Sequence, residues 1–166
     1  NEVRYRQSSD GGLNWNASMM LSTNDGLHSA FARVDFSGTD CDVLAVAWRN
    51  QVDPNDWQWD VRGAFSNDGG LSWTEKLISG TTSSEWDPFT LVDKHNVIHI
   101  GIMDFPYGDP LNTIELYTKS YDGGISFTEL DTVYNRKSRF PFLCYDYNLD
   151  VLWYYFRADS MIYSID

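Results

Sequence analysis

The sequence predicts an all-β fold made by repeating one unit of antiparallel strands. Three observations predict it. An eight-residue phrase, S-x-D-G-G-[LI]-[NS]-aromatic, occurs at Ser8–Trp15, Ser66–Trp73 and Ser120–Phe127, and Ser164-Ile165-Asp166 resembles the first part of a fourth. Its aspartates lie 68 − 10 = 58 and 122 − 68 = 54 residues apart, a period that means one supersecondary unit used several times. The runs between the phrases are rich in Val, Ile, Phe, Tyr, Trp and Thr and separated by turn residues, and none shows helical periodicity.

Each phrase reads as a hairpin turn. Asp-Gly-Gly between two strand-like runs supplies positive φ at the glycines, and the aspartate can accept backbone N–H bonds to close an Asx-type turn. The serine two residues earlier offers a hydroxyl across the turn. The aromatic residue that opens the outgoing strand can fold back over it. In order, with strands of a unit labelled A to D, Glu2–Ser8 reads as C and Trp15–Leu21 as D. Ala32–Phe36, Val43–Arg49, Trp57–Ser66 and Trp73–Ile78 form a full unit, and Phe89–Asp93, Val97–Met103, Thr113–Ser120 and Phe127–Val133 form another. Phe140–Tyr145, Val151–Phe156 and Met161–Ser164 supply A, B and C of a last one. A second echo, Asp87-Pro88-Phe89 against Phe140-Pro141-Phe142, supports this register. The innermost strands A and B are expected to be the most buried, and Val43–Trp48 is continuous apolar sequence.

The phrase resembles the Asp-box, or bacterial neuraminidase repeat, of sialidases, related glycoside hydrolases and noncatalytic carbohydrate-associated propellers. Ser8, Asp10, Gly12 and Trp15, then Ser66, Asp68, Gly70 and Trp73, then Ser120, Asp122, Gly124 and Phe127 match its positions. The resemblance implies a β-propeller of four-stranded antiparallel blades, with each box between strands C and D and structural in role. The blades would be 1–22 (the end of one), 30–79, 86–134 and 139–166 (incomplete), about half a ring within one domain. Closed propellers have roughly 4–8 blades. The expected complement is therefore either self-association, with two chains making a six-bladed ring, or the missing blades of a longer chain.

Composition narrows the partners. Twelve basic against 24 acidic residues give a net charge of −12, which argues against nucleic acid or an anionic membrane. No apolar run is long enough to insert in a membrane. An extracellular or periplasmic location fits, and Asn16-Ala17-Ser18 is a glycosylation sequon. Cys41 and Cys144 fall two units apart and are expected to be free thiols, and no spacing fits a metal site or cofactor.

In a four-stranded meander the A–B and C–D turns share one end, and the B–C and D–A loops share the other. Ligands of the resembled family bind at the second end. There the D–A loops are Ser22–Ser29, Ser79–Asp87 (carrying Trp86) and Asn135–Arg139, and the B–C loops are Arg49–Asp56, Asp104–Asn112 and Arg157–Ser160. Long loops on a rigid scaffold carry function. Arg49, Asp53, Asp56 and Trp57 could grip a carboxylate or vicinal hydroxyls while a ring stacks on a sugar, or they could form an ordinary polar turn. Asp104, Tyr107 and Asp109 are acids and a phenol in a Pro/Gly-rich loop that reads equally as turn punctuation. Ser138-Arg139-Phe140-Pro141 resembles the sialidase Arg-x-Pro motif, whose arginine binds the substrate carboxylate, although Pro88 recurs at the same place without an arginine. Arg157 is a further loop arginine. The remaining sialidase residues have no counterpart here. The first expectation is thus a noncatalytic module for carbohydrate or protein-surface recognition. The alternatives are a fragment of a sialidase-like hydrolase and a subunit of a strand-exchanged polymer.

Overall fold

The computed structural model describes residues 1–37, 41–106, 112–135, 138 and 140–156, and the backbone of 162–165. Within them the chain forms thirteen strands and no helix, so none is present to cross a membrane. β1 (Arg4–Tyr5) and β2 (Met19–Met20) make sheet I. β3 (Ser29–Phe36), β4 (Leu44–Gln51), β5 (Trp59–Ser66) and β6 (Thr74–Ser79) make sheet II, a four-stranded antiparallel meander. β7 (Ser84–Val92), β8 (Ile98–Phe105), β9 (Ile114–Ser120) and β10 (Asp131–Tyr134) repeat it as sheet III. β11 (Phe142–Asp146), β12 (Val151–Tyr155) and β13 (Ile162–Ile165) make the three-stranded sheet IV.

The sheets stack face to face in chain order. Val3 and Leu21 of the first hairpin pack on Val46, Trp48 and Ala64 of sheet II. The other face of sheet II, through Ala45, Val61 and Phe65, packs on Ile98, Ile100 and Ile102 of sheet III. The far face of sheet III, through Leu91 and Tyr117, meets Leu143, Leu152 and Tyr154 of sheet IV. Period-2 alternation makes this possible, since successive side chains of one strand serve opposite interfaces. Gly101 faces Tyr154, and a Cβ there would lie 2.9 Å from its hydroxyl oxygen.

In sheet III both of the first two strands are buried or half-buried, as expected, whereas in sheet II only the second is. Every residue of β4 is buried, whereas β3 is mostly exposed. A strand with neighbours on both edges and sheets on both faces has no route to water, while the first strand keeps one open edge. The first strands also begin earlier than the sequence indicates, at Ser29 and Ser84, because a bulge lets pairing continue past an irregularity: Ala30 pairs with Arg49 and Trp86 with Met103. The residues that carry these bulges, Phe31 and Asp87, have φ of 57° and 45°, and Phe140 at the equivalent place has 62°. The outer strands are shorter than expected, since only Met19–Met20 and Asp131–Tyr134 pair after the first and third repeat turns. The strand placed at Glu2–Ser8 likewise reduces to Arg4–Tyr5. Both cysteines are free and exposed.

The three repeat turns are alike in their bonds. In the second, Ser66 Oγ donates to Asp68 Oδ1 at 2.8 Å and accepts from Gly70 N–H at 2.9 Å, while Asp68 accepts from Ser72 N–H at 2.8 Å and from its hydroxyl at 2.5 Å. Asp10 and Asp122 do the same, with the Asn14 side-chain amide in place of the serine hydroxyl in the first turn. These donors hold each aspartate at about 2, below the ordinary 3.8. The second and third turns also dock on the preceding sheet. Trp73 meets Tyr5 edge-on at 4.9 Å, Phe127 lies 5.1 Å from Phe65, and Asn67 Nδ2 donates to Gly123 O at 3.0 Å.

Candidate functional site

Strand direction sorts the loops. The repeat turns share one end of the sheets with the β3–β4 and β7–β8 turns, and Gly69 N–H donates to Asp42 O there at 3.0 Å. At the opposite end the 52–58 loop and the 80–83 connector meet. Trp59 N–H donates to Ser84 Oγ at 3.2 Å, and Gln58 Nε2 donates to Thr81 O at 3.2 Å.

Arg49 is the centre of this second end. It sits near the end of the buried strand β4, not in a loop, and its guanidinium carbon lies 4.0 Å from the Phe31 ring, 4.6 Å from Trp59 and 4.1 Å from Trp86. The residue is 8% exposed, and its Nε and Nη1 are buried without a hydrogen-bond partner. Burial depresses its pKa, and the nearby Asp87 opposes that. Asp87 is itself raised by burial, against the pull of Arg49 and Arg33. A pocket of about 340 Å³ opens beside it, lined by Arg33 and Asp87 and walled by Phe31, Phe89, Phe140 and Phe142. Among the described residues six non-glycine positions have left-handed φ, and three of them, Phe31, Asp87 and Phe140, line this pocket at equivalent places in three successive units. Such backbone conformations cost about 1–3 kcal/mol each and cluster where geometry serves a ligand.

Beneath the connector lies a group of carboxyls. Glu85 on β7 and Asp104 on β8 are directly opposite each other, and Asp60 enters from β5. Glu85 accepts from Thr81 N–H at 3.0 Å and from its hydroxyl at 2.6 Å, while its Oε2 and Asp104 Oδ1 are buried without partners. Burial first, then the Glu85 charge, pushes Asp60 and Asp104 up to about 6, against the attraction of Arg62 for Asp60 and a Ser83 bond to Asp104. On β9, burial raises Glu115 to about 8, although the Tyr154 hydroxyl bonds to it. Tyr154 donates to Glu115 Oε2 at 3.3 Å and to Leu116 O at 3.1 Å from a fully buried position. Among the described residues no group of three or more His, Cys, Asp or Glu is placed to hold a metal ion.

Of the residues singled out in the sequence, Arg49 and Trp86 come together in the aromatic cluster, and Asp104 lies on β8 rather than in a loop. Pairing with Glu85 and Ser84 extends β8 past Met103 to Phe105, so the strand stops at Pro106 itself. Asp53 and Asp56 use their carboxylates within their own turn, accepting from Asn55 N–H at 2.8 Å and Trp57 N–H at 2.7 Å. Trp57 is exposed, with its carbonyl held by Ser84. Tyr107, Asp109, Arg139 and Arg157 lie outside the described residues. Phe31, Arg33, Trp59, Asp60, Glu85, Asp87 and Glu115 were not among the candidates. The available signal was a lone acid in an apolar strand, as with Glu115 in Ile114–Tyr117. No protein-family model matches the chain, and neither does any curated protein.

Proposed function

We propose that the chain is a noncatalytic recognition module whose sheets are blades of an Asp-box propeller. A carbohydrate is held at the end opposite the repeat turns, and further sheets of the same kind complete the arc. The observation that carries the reading is Arg49, a buried guanidinium with two N–H groups unpartnered inside a wall of three aromatic rings. Beside it, half-exposed rings flank Arg33 and Asp87 in one pocket. That combination suits a pyranose: apolar C–H faces lie against rings, and charged groups bind hydroxyls or a carboxylate bidentately. The repeat turns support the same division of labour, because their aspartates are saturated by the bonds of their own loops. A glycan array probed with the 166-residue chain, followed by calorimetry on any hit, tests this. Binding should be lost in Arg33→Ala and Asp87→Asn but not in Asp122→Asn, and an array without hits sinks the carbohydrate reading.

One observation favours the alternative of a sialidase-like hydrolase fragment. Asp87 is a half-buried carboxyl in the pocket with a raised pKa, the state a general acid requires. Turnover of a fluorogenic sialoside, abolished by Asp87→Asn, would replace the noncatalytic reading with this one.

A further inference from the structure

Glu85 and Asp104 lie directly opposite each other on β7 and β8. Their side chains therefore leave the same face of sheet III, with Cβ atoms about 5 Å apart as in any such pair. Glu85 is fully buried and Asp104 is 6% exposed. Each keeps one oxygen, Glu85 Oε2 and Asp104 Oδ1, buried without a hydrogen-bond partner. Among the described residues no Lys, Arg or His forms an ion pair with either. Two ionised carboxylates in that arrangement repel each other, and each unpartnered oxygen has lost its hydration for nothing. One proton held between the two oxygens removes both costs, because it makes one carboxyl a donor to the other.

The charges on neighbouring elements do not balance the pair. Asp60 approaches Glu85 from β5 with the same sign, and Arg62 on that strand attracts Asp60 and is paired with Glu75 at 3.1 Å. Arg49 on β4 and Arg33 on β3 act on Asp87 instead. Asp53 and Asp56 accept within the 52–58 loop, and Glu115 on β9 is bonded by Tyr154 of sheet IV. What the pair does hold is the 80–83 connector. Glu85 Oε1 accepts from the N–H and the hydroxyl of Thr81, and Thr81 O accepts from Gln58 Nε2. The residue before Glu85 extends the tie. Ser84 Oγ donates to Trp57 O at 2.9 Å and accepts from Trp59 N–H at 3.2 Å and Trp86 Nε1 at 2.8 Å. Residues 84–86 thus join the connector, the 52–58 loop and two of the three rings around Arg49.

We infer that Glu85 and Asp104 share one proton and form a latch on the 80–83 connector, closed while the proton is held and open when it leaves. On opening, the proton passes to water and the Glu85 carboxylate turns away from Asp104, giving up Thr81. Asp104 is held up at about 6, above its unfolded value, so the latch is closed below that pH and opens above it. The end of the sheets that carries Arg49 is then ordered in acid and loosened at neutral pH. The inference stands on this pair and its bonds and needs no glycan. Glycan binding and latch opening are separate readouts, so either can fail while the other stands.

The test follows hydrogen exchange of the Thr81 amide in the whole chain at about pH 5 and about pH 7.5, corrected for the intrinsic rate at each pH. In the wild type its protection should fall about tenfold or more between the two. In Asp104→Asn and in Glu85→Gln an amide N–H stands where the shared proton was, so protection should stay at its acid level throughout. Each variant is checked by circular dichroism for the wild-type spectrum, and one that folds is enough. Asp60→Asn, which removes the third carboxyl and leaves the pair intact, should keep the fall. Equal protection of the wild type at both pH values overturns the inference. So does a fall that survives in Asp104→Asn or Glu85→Gln, or one that is lost in Asp60→Asn. Protection restored at the higher pH by calcium chloride overturns it as well, because the pair would then take a cation and not a proton.

Discussion

Gly124 shows how little freedom a single position in the repeat turn has. Its φ is +88°, which an L side chain rarely adopts, and a Cβ there would overlap the Phe65 ring of the preceding sheet. Gly124→Ala is expected to cost about 2–4 kcal/mol, from backbone strain together with the overpacked contact, measured by urea denaturation. Gly11→Ala has only the backbone term, since nothing lies near its Cβ, so its loss should be smaller. Arg49 behaves in the opposite way. A buried charge with unpartnered N–H groups is weak evidence for stability, and an apolar residue of similar size often does better. Arg49→Met should leave the melting temperature unchanged or higher while abolishing any glycan binding. A fall of more than about 2 kcal/mol in stability would show that the guanidinium is a structural strut.

The elements are tied to one another by a few polar bonds set among many apolar contacts. Asp35, on the exposed first strand of sheet II, accepts the N–H of Val92 at 2.8 Å across the interface with sheet III. Burial raises its pKa against that bond. Removing it by Asp35→Ala leaves the Val92 N–H unsatisfied and should cost about 1–2 kcal/mol. Hydrogen exchange should locate the loss in the β3–β7 contact, not evenly over the chain. On sheet III, Asp93 Oδ1 accepts from His95 and Val97 N–H, both at 2.8 Å, while its Oδ2 meets His99 Nε2 at 3.2 Å. His99 Nδ1 in turn lies 2.6 Å from the Tyr117 hydroxyl. This buried line links the β7–β8 turn to the interface with sheet IV. Burial lowers the His99 pKa, so the ring is held neutral between its two partners.

Across the whole molecule the charge pattern sets opposite pH dependences at the two ends. Asp60 and Asp104 rise to about 6 from 3.8, and Glu115 rises to about 8 from 4.5. The folded state therefore binds more protons than the unfolded chain between pH 4 and pH 8. Stability from these groups is full below their unfolded pKa values and is lost as pH rises through the folded ones. The repeat-turn aspartates, held at about 2, act in the other sense, and their stabilisation is lost as pH falls from 3.8 toward 2. Maximum stability is expected near pH 4–5, with a decline toward pH 8 that Asp104→Asn reduces by about 1–2 kcal/mol. Melting temperatures from pH 3 to pH 8 check this, and a profile still rising above pH 6 would refute it. The same groups lie under the 80–83 connector, so Trp86 fluorescence should follow the transition near pH 6.

The sequence by itself determined the strand order, the repeat turns and the end of the sheets at which they lie. Those follow from local chemistry: glycine φ, Asx bonding and alternation of apolar residues act within a few residues of one another. It did not determine where strands stop. β8 runs on to Phe105 because Glu85 and Trp86 pair with it across a bulge, and the outer strands shorten because their pairing depends on neighbours rather than on composition. Nor did it identify the candidate site. Arg49 read as a loop residue beside Asp53 and Asp56, yet it lies buried among Phe31, Trp59 and Trp86. Those rings come from the first and third strands of sheet II and from sheet III. Only stacking of the sheets brings such distant positions together, and only the low dielectric between them makes buried acids such as Asp104 and Glu115 chemically unusual.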